Sequence, residues 1–163
     1  MTSQTNNTSE TTLTLPSNRE ILIQRTFDAP RRLVFEALTK PEHVAQWYGP
    51  RYLKLQVCEI DFRVGGRWRY VLRDPEGNEH GFSGEYREIV PPERVVTTEG
   101  YEAMPGHEYV ATLTLDEQDG KTTLRSHLVY QSPEDRDGHI QSGMEPGMRE
   151  TYDRLAELLA TLA

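Results

Sequence analysis

The stretch that follows a double glycine, residues 67–73, carries the pattern that most restricts the fold. Bulky residues alternate there with arginines. Side chains along a strand point alternately to opposite faces, so one face of this strand carries Trp68, Tyr70 and Leu72 and the other face is cationic. Large aromatic side chains with polar tips on an inner face favour the wall of a pocket over a catalytic centre.

The same period-two alternation continues over most of the chain from about residue 53 to residue 130. Turn sequences interrupt it, among them Asp74-Pro75-Glu76-Gly77-Asn78 and Asp119-Gly120. The connections are too short for crossover helices. The pattern therefore predicts an antiparallel sheet of about seven strands.

Two short helices are predicted between the first strand, residues 20–27, and the rest of the sheet. Asp28-Ala29-Pro30 is a start signal for the first helix. Thr39-Lys40-Pro41-Glu42 has the form of a capping box and predicts a second helix over residues 40–47.

The C-terminal segment returns to helical periodicity. Gly138 and Gly143 are expected to interrupt it, so the firm helix is predicted to begin between residues 144 and 147. Glu150 and Arg154 are spaced for an ion pair on its polar face. Its apolar stripe consists of Met144, Met148, Tyr152, Leu155, Leu159 and Leu162.

These elements predict an α+β fold in which a curved antiparallel sheet wraps around the long C-terminal helix. The sheet and the helix each have one apolar face, and each covers the other. A strongly curved sheet leaves a gap beneath the helix, where a ligand can bind. Residues 1–18 are rich in Thr, Ser, Asn and Gln and are expected to be a flexible tail. Residues 19–163 are expected to form one ligand-binding domain.

Composition excludes several classes of function. The formal net charge of −8 argues against nucleic acid as a partner, and no apolar run reaches the length of a membrane span. A single cysteine, Cys58, gives no intrachain disulfide. Residues 1–17 carry no Lys or Arg and no apolar core of a signal peptide, so a cytoplasmic location is expected. A monomer or a homodimer fits the sequence equally well.

Several motifs in order resemble one known family. They are Arg25-Thr26-Phe27-Asp28-Ala29-Pro30, Trp47-Tyr48-Gly49-Pro50, Asp61-Phe62-Arg63-Val64-Gly65-Gly66-Arg67-Trp68 and Gly143-Met144-Glu145-Pro146-Gly147-Met148. Together they resemble the activator of heat-shock-protein-90 ATPase homologue (AHSA) family, within the START-related helix-grip (SRPBCC) superfamily. The resemblance extends over nearly all of residues 19–163. It implies the helix-grip fold and an internal cavity for a small hydrophobic molecule, and it raises a chaperone as a possible partner.

The predicted ligand-binding residues come from the aromatic strands, the second short helix and the start of the long helix. They are Trp47, Trp68, Tyr70, Phe82, Tyr109, Leu113, Met144, Met148 and Tyr152. No catalytic residue, metal ligand or cofactor is predicted. The five histidines lack metal-binding spacing, and Glu85 and Glu99 are expected at a sheet edge or on the outer face. The arginines at 63, 67, 69 and 73 are expected on a solvated face, neutralised by nearby acids.

The leading hypothesis is non-catalytic binding or transport of a small hydrophobic or aromatic molecule, lipids included. Two alternatives remain open. One is a cyclase- or hydratase-like enzyme that uses the same cavity, which would need an inward-pointing acid or histidine. The strand phasing supplies no clear one, so an enzyme is the less favoured reading. The other is a chaperone-interacting module with a role in stress response, in which the surface arginines would matter and the cavity would not.

Overall fold

The computed structural model describes residues 10–162. The strands in this range are β1 (Thr12–Thr14), β2 (Glu20–Phe27), β3 (Lys54–Ile60), β4 (Arg67–Arg73), β5 (Glu79–Val90), β6 (Arg94–Tyr101), β7 (Tyr109–Gln118) and β8 (Lys121–Val129). The helices are α1 (Arg31–Thr39), α2 (Pro41–Trp47), α3 (Pro133–Gln141) and α4 (Met144–Leu162). All neighbouring strands are antiparallel, in the order β1-β2-β8-β7-β6-β5-β4-β3. The predicted α+β architecture, with α1 and α2 after the first long strand and α4 at the end, is confirmed.

The sheet has eight strands in the described range instead of about seven, because β1 lies in the segment predicted to be a flexible tail. Residues 12–14 pair with residues 22–24 of β2. The guanidinium of Arg25 in β2 also donates a hydrogen bond of 3.1 Å to the hydroxyl of Thr11. The end of that segment is therefore held against the sheet. Residues 1–9, half of the predicted tail, lie outside the described residues.

Two irregularities bend the sheet around α4. The pairing register shifts between Leu55 and Val57 in β3, and again between Tyr86 and Glu88 in β5. An extra residue on one strand of an antiparallel pair bends that strand and increases its twist. The long strand β5 can therefore follow a curved path, and the concave side of the sheet faces the helices.

The predicted capping box before α2 is wrong. The hydroxyl of Thr39 donates to the carbonyl of Phe35 (2.8 Å), one turn back in α1, and Lys40 is the residue that precedes α2. The side chain of Thr39 thus bonds within α1, and the structure retains Pro41 and the acidic Glu42 in the first turn of α2 as start signals of the motif.

The C-terminal segment forms two helices, although one firm helix was predicted. Ser132 caps α3 by accepting a hydrogen bond of 3.1 Å from the backbone amide of Asp135. Gly138 lies within α3 and does not interrupt it. The interruption comes at Gly143, whose φ of 85° is in the left-handed region that favours glycine.

The predicted ion pair between Glu150 and Arg154 is replaced by contacts to the backbone. Arg154 donates to the carbonyls of Gln46 (2.9 Å) and Gly49 (2.7 Å), with a longer bond to that of Tyr48 (3.4 Å). These carbonyls lie at the end of α2 and in the loop that follows it. Arg154 therefore connects α4 to the segment that leads into β3.

The core consists of two apolar clusters on the concave side of the sheet. The larger cluster joins α1, α2 and the C-terminal half of α4 to the sheet and includes Phe27, Trp47 and Leu155. The smaller cluster includes Ile21 and Leu128, with the N-terminal turns of α4 packed against it. Tyr152 of α4 contacts both clusters. Among residues 10–162, no helix is long and apolar enough to cross a membrane.

Candidate functional site

A cavity of about 430 Å³ lies between the two core clusters. Ile23, Ala111 and Leu128 of the smaller cluster line it on one side, and Trp68 of the larger cluster lines it on another. Tyr52 also lines the cavity and is 63% exposed, so the cavity reaches the protein surface. The volume falls in the range of small-molecule sites, roughly 300 to 1,000 Å³.

All nine residues that the sequence predicted for this site line the cavity. They are Trp47 in α2, Trp68 and Tyr70 in β4, Phe82 in β5, Tyr109 and Leu113 in β7, and Met144, Met148 and Tyr152 in α4. The strand residues meet there because alternate positions share the concave face. The helix residues meet there because spacings of four keep them on one side of α4.

The aromatic rings of the cavity wall contact one another. The ring centroids of Tyr48 and Tyr70 are 4.5 Å apart, those of Trp68 and Tyr70 are 4.8 Å apart, and those of Trp47 and Tyr48 are 6.0 Å apart. Burial raises the pKa of the Tyr48 and Tyr70 hydroxyls, so both stay protonated at physiological pH. The sequence analysis missed Tyr48, although it lies beside Trp47 in one of the quoted motifs.

Polar atoms of the two tryptophans are directed away from the cavity space. Nε1 of Trp47 donates to the carbonyl of Ala37 at 2.8 Å. Nε1 of Trp68 is buried beside Gly84 and has no hydrogen-bond partner within the described residues. The indoles therefore supply apolar surface, and the hydroxyls of the tyrosines supply hydrogen-bonding groups.

Glu99 also lines the cavity, which corrects the prediction that it lies at a sheet edge or on the outer face. It is in β6, directly opposite Tyr109 of β7. Burial raises the pKa of the Glu99 carboxyl, and the hydroxyl of Tyr109 opposes this by stabilising the ionised form. The cavity thus holds an inward-facing acid whose ionised form is disfavoured by its surroundings.

The sequence did contain a signal for Glu99. Val95 is 6% exposed and lies on the concave face of β6. Period two from Val95 places Thr97 and Glu99 on the same face, and both line the cavity.

His139 of α3 is a second titratable group at the cavity. Its Nδ1 lies 2.5 Å from the hydroxyl oxygen of Tyr130, and its ring centroid lies 5.4 Å from that of Tyr109. Burial lowers the pKa of His139, so the imidazole is held in its neutral form. Among residues 10–162, no cluster of three metal-binding side chains is present.

The arginine stripe of β4 and the preceding turn is largely neutralised. Arg63 pairs with Asp61 at 2.9 Å, and Arg73 pairs with Glu79 at 3.1 Å. Arg69 forms a bidentate ion pair with the carboxylate of Glu102, with distances of 2.9 and 3.0 Å. Three of the four arginines predicted to be neutralised are therefore paired with acids, whereas exposed Arg67 forms no ion pair among residues 10–162.

We expect Glu99→Gln to stabilise the protein at high pH. Folding moves this carboxyl into the cavity wall and raises its pKa above the ordinary value of 4.5. Between those two pKa values the folded state binds more protons than the unfolded state, so stability falls as the pH rises through this window. The amide keeps an acceptor for Tyr109 and never ionises.

Urea unfolding at a series of pH values measures this effect. The gain from Glu99→Gln should be largest above the raised pKa and should vanish as the pH falls below 4.5. The control is Glu59→Gln, because Glu59 is exposed on β3. A Glu99→Gln protein that is less stable than the wild type at about pH 8 would contradict an acid held in a disfavoured ionised state.

A curved antiparallel sheet that holds a long C-terminal helix above an internal cavity defines the helix-grip class of protein. Comparison with family models agrees, since the model described as "Activator of Hsp90 ATPase homolog 1-like protein" matches residues 28–160. The chain belongs to this family. The family resemblance read from the sequence motifs is therefore confirmed.

Solved structures show the same fold. A crystal structure of a protein from Rhodobacter sphaeroides is 31% identical with a TM-score of 0.87, and the match covers 93% of this chain and 99% of that one. A protein from Nitrosomonas europaea is 26% identical with a TM-score of 0.81, over 90% of this chain and 97% of that one. The AHSA1 protein of Silicibacter pomeroyi is 24% identical with a TM-score of 0.71, over 88% of this chain and 99% of that one, and shows the fold alone. No curated protein matches.

Proposed function

We propose that this protein binds a small, largely apolar molecule with an aromatic or extended hydrocarbon body. The observation that carries the proposal is the cavity itself, about 430 Å³ in volume, which separates two core clusters and reaches the surface at Tyr52. Burial of apolar ligand surface would drive binding at about 25 cal/mol per Å² of apolar area. Tyrosine hydroxyls such as that of Tyr70 would orient the ligand.

A matched pair of substitutions on β7 tests this proposal. Ala111 lines the cavity, whereas Thr112 is the next residue and points to the opposite face of the sheet. We expect Ala111→Phe to fill part of the cavity and to weaken binding of the neutral dye Nile red by about tenfold or more, which corresponds to about 1.4 kcal/mol. Thr112→Phe should leave the affinity nearly unchanged, and Ala111→Leu should lie between them.

Fluorescence titration gives the dye affinities, and circular dichroism shows whether each variant is folded. Equal affinities for folded Ala111→Phe and wild-type protein would refute binding in this cavity. Native mass spectrometry of protein purified without detergent provides an independent readout, because a retained molecule would be identified by its mass.

Catalysis in the same cavity is the second candidate, and the inward-facing acid favours it. The sequence phasing supplied no clear inward acid or histidine, but Glu99 and His139 both line the cavity. A carboxyl with a raised pKa and a neutral imidazole in one cavity are suited to proton transfer. Incubation of a bound carbonyl compound in deuterated water distinguishes a carrier from a catalyst. Deuterium incorporated into the compound, measured by its mass, would indicate catalysis, and an unchanged mass would indicate a carrier.

Chaperone interaction remains a proposal that the family name raises. The arginine face offers it little support, because Arg63, Arg69 and Arg73 are already paired with acids of the same chain. Ligand binding is therefore the function that the geometry supports best.

A further inference from the structure

The charged and aromatic groups that line the cavity favour a positive charge over a negative one. Within residues 10–162, no Lys or Arg side chain lines it, and Glu99 is its only carboxylic acid. Aromatic rings make up much of the remaining wall, with Trp68, Tyr70 and Tyr109 on the sheet and Tyr48 and Tyr152 facing them from the helical side. The site therefore offers partial negative charge and contains no fixed positive charge to balance an anion.

This chemistry selects between classes of ligand. The face of an aromatic ring carries negative electrostatic potential and attracts cations within about 6 Å. An anionic ligand would face the same rings together with Glu99, and His139, the only basic group of the described lining, would have to take up a proton that burial disfavours before it could compensate the charge. A cation would gain from the rings and would also supply the counter-charge that the Glu99 carboxylate lacks inside the cavity.

The groups around the Glu99 carboxyl supply no positive charge to pair with it. Five tyrosine hydroxyls interact with its charge from the neighbouring elements: Tyr109 opposite it in β7, Tyr48 after α2, Tyr70 in β4, Tyr130 after β8 and Tyr152 in α4. All five are neutral, since burial raises the pKa of each. No basic side chain in the cavity lining pairs with Glu99 in the described part of the chain.

We propose that the ligand of this cavity is an organic amine, with its ammonium group at the Glu99 carboxylate and its apolar body against the aromatic rings. This inference rests on the proposed function, because it assigns a chemical class to the ligand of the same cavity. The competing possibility is a neutral ligand that receives a hydrogen bond from protonated Glu99 or from a tyrosine.

Three probes of similar size and different charge separate these possibilities. They are phenethylammonium, phenethyl alcohol and hydrocinnamate, each used to displace Nile red at neutral pH from wild-type and Glu99→Gln protein. We expect the cation to bind about tenfold tighter than the alcohol, and the anion to bind most weakly. Glu99→Gln should weaken the cation by about tenfold and change the alcohol by less than about threefold.

Each outcome has a defined meaning. The expected order in wild type together with selective loss of the cation in Glu99→Gln supports the inference. If the alcohol or the anion binds as tightly as the cation, or if Glu99→Gln weakens cation and alcohol equally, the amine assignment is wrong while ligand binding stands. If Nile red binds but none of the three probes displaces it, the assignment is also wrong. If neither the dye nor any probe binds, the proposed function fails together with the inference.

Discussion

Replacement of Gly84 by alanine is expected to destabilise the fold by about 3 kcal/mol or more. A Cβ atom at this position would lie 1.7 Å from the carbonyl oxygen of Thr98 and 2.7 Å from Nε1 of Trp68. The first of these contacts is with the backbone of β6, so rotation of a side chain cannot relieve it. Strands β5 and β6 would have to separate where the backbone amide of Glu85 donates to the hydroxyl of Thr98.

Thermal and urea unfolding of purified variants measure this effect. Gly138→Ala is the matched control, because Gly138 lies exposed in α3 with no atom within 4 Å of the added Cβ. Alanine there should stabilise the protein by about 0.5 to 1 kcal/mol, since glycine has a poor helix propensity. A Gly84→Ala protein as stable as the wild type would show that β5 and β6 do not approach each other this closely.

The second large effect is expected from Arg154→Met. Arg154 donates to three backbone carbonyls, those of Gln46, Tyr48 and Gly49. Methionine keeps much of the apolar stem but leaves these acceptors without their charged donor, at a cost of about 2 to 4 kcal/mol. The loop between α2 and β3 also lines the cavity through Tyr48 and Gly49, so Nile red affinity should fall as well.

Arg51→Met is the matched control for this experiment. Arg51 lies in the same loop, but it is exposed and its partners are the carboxylates of Glu150 and Glu157 on the surface of α4. An exposed ion pair contributes little to stability because water and salt screen it. Similar losses of stability in Arg154→Met and Arg51→Met would show that the backbone contacts of Arg154 have no special role.

The concave wall could be predicted from the sequence because its residues follow simple periods. Trp68 and Tyr70 alternate with arginines along β4, and Met144, Met148 and Tyr152 recur every four residues along α4. These periods follow from backbone geometry alone, so they assign faces without knowledge of the neighbours. Once a curved sheet and a covering helix are assumed, the two apolar faces must meet.

Glu99 shows where this reasoning stops. A carboxylate in a strand usually faces solvent. This general preference predicts an outward-facing Glu99, whereas the period that starts at Val95 predicts an inward-facing one. The register between β6 and β7, which places Glu99 opposite Tyr109, confirms the inward face that the period from Val95 indicates. Pairing register depends on the whole sheet and cannot be read from one strand.

Helix α3 was missed for a related reason. Gly138 was taken to break the helical pattern, but a glycine within a helix costs only about 1 kcal/mol relative to alanine. The cap at Ser132 and the contact between Tyr130 and His139 are present to offset such a cost. Local propensity therefore predicts a break at Gly138 that the structure lacks, in addition to the correct break at Gly143, and His139 is not predicted at the site.

Under the proposed function, the cavity that separates the two core clusters would link the lifetime of the protein to the binding of its ligand. A guest that binds only the folded chain raises the free energy of unfolding by about 2.7 kcal/mol at a concentration one hundred times its dissociation constant. The vacant form would unfold more often, and cellular proteases degrade the unfolded chain. Under the proposed function, the abundance of this protein should therefore follow the supply of its ligand.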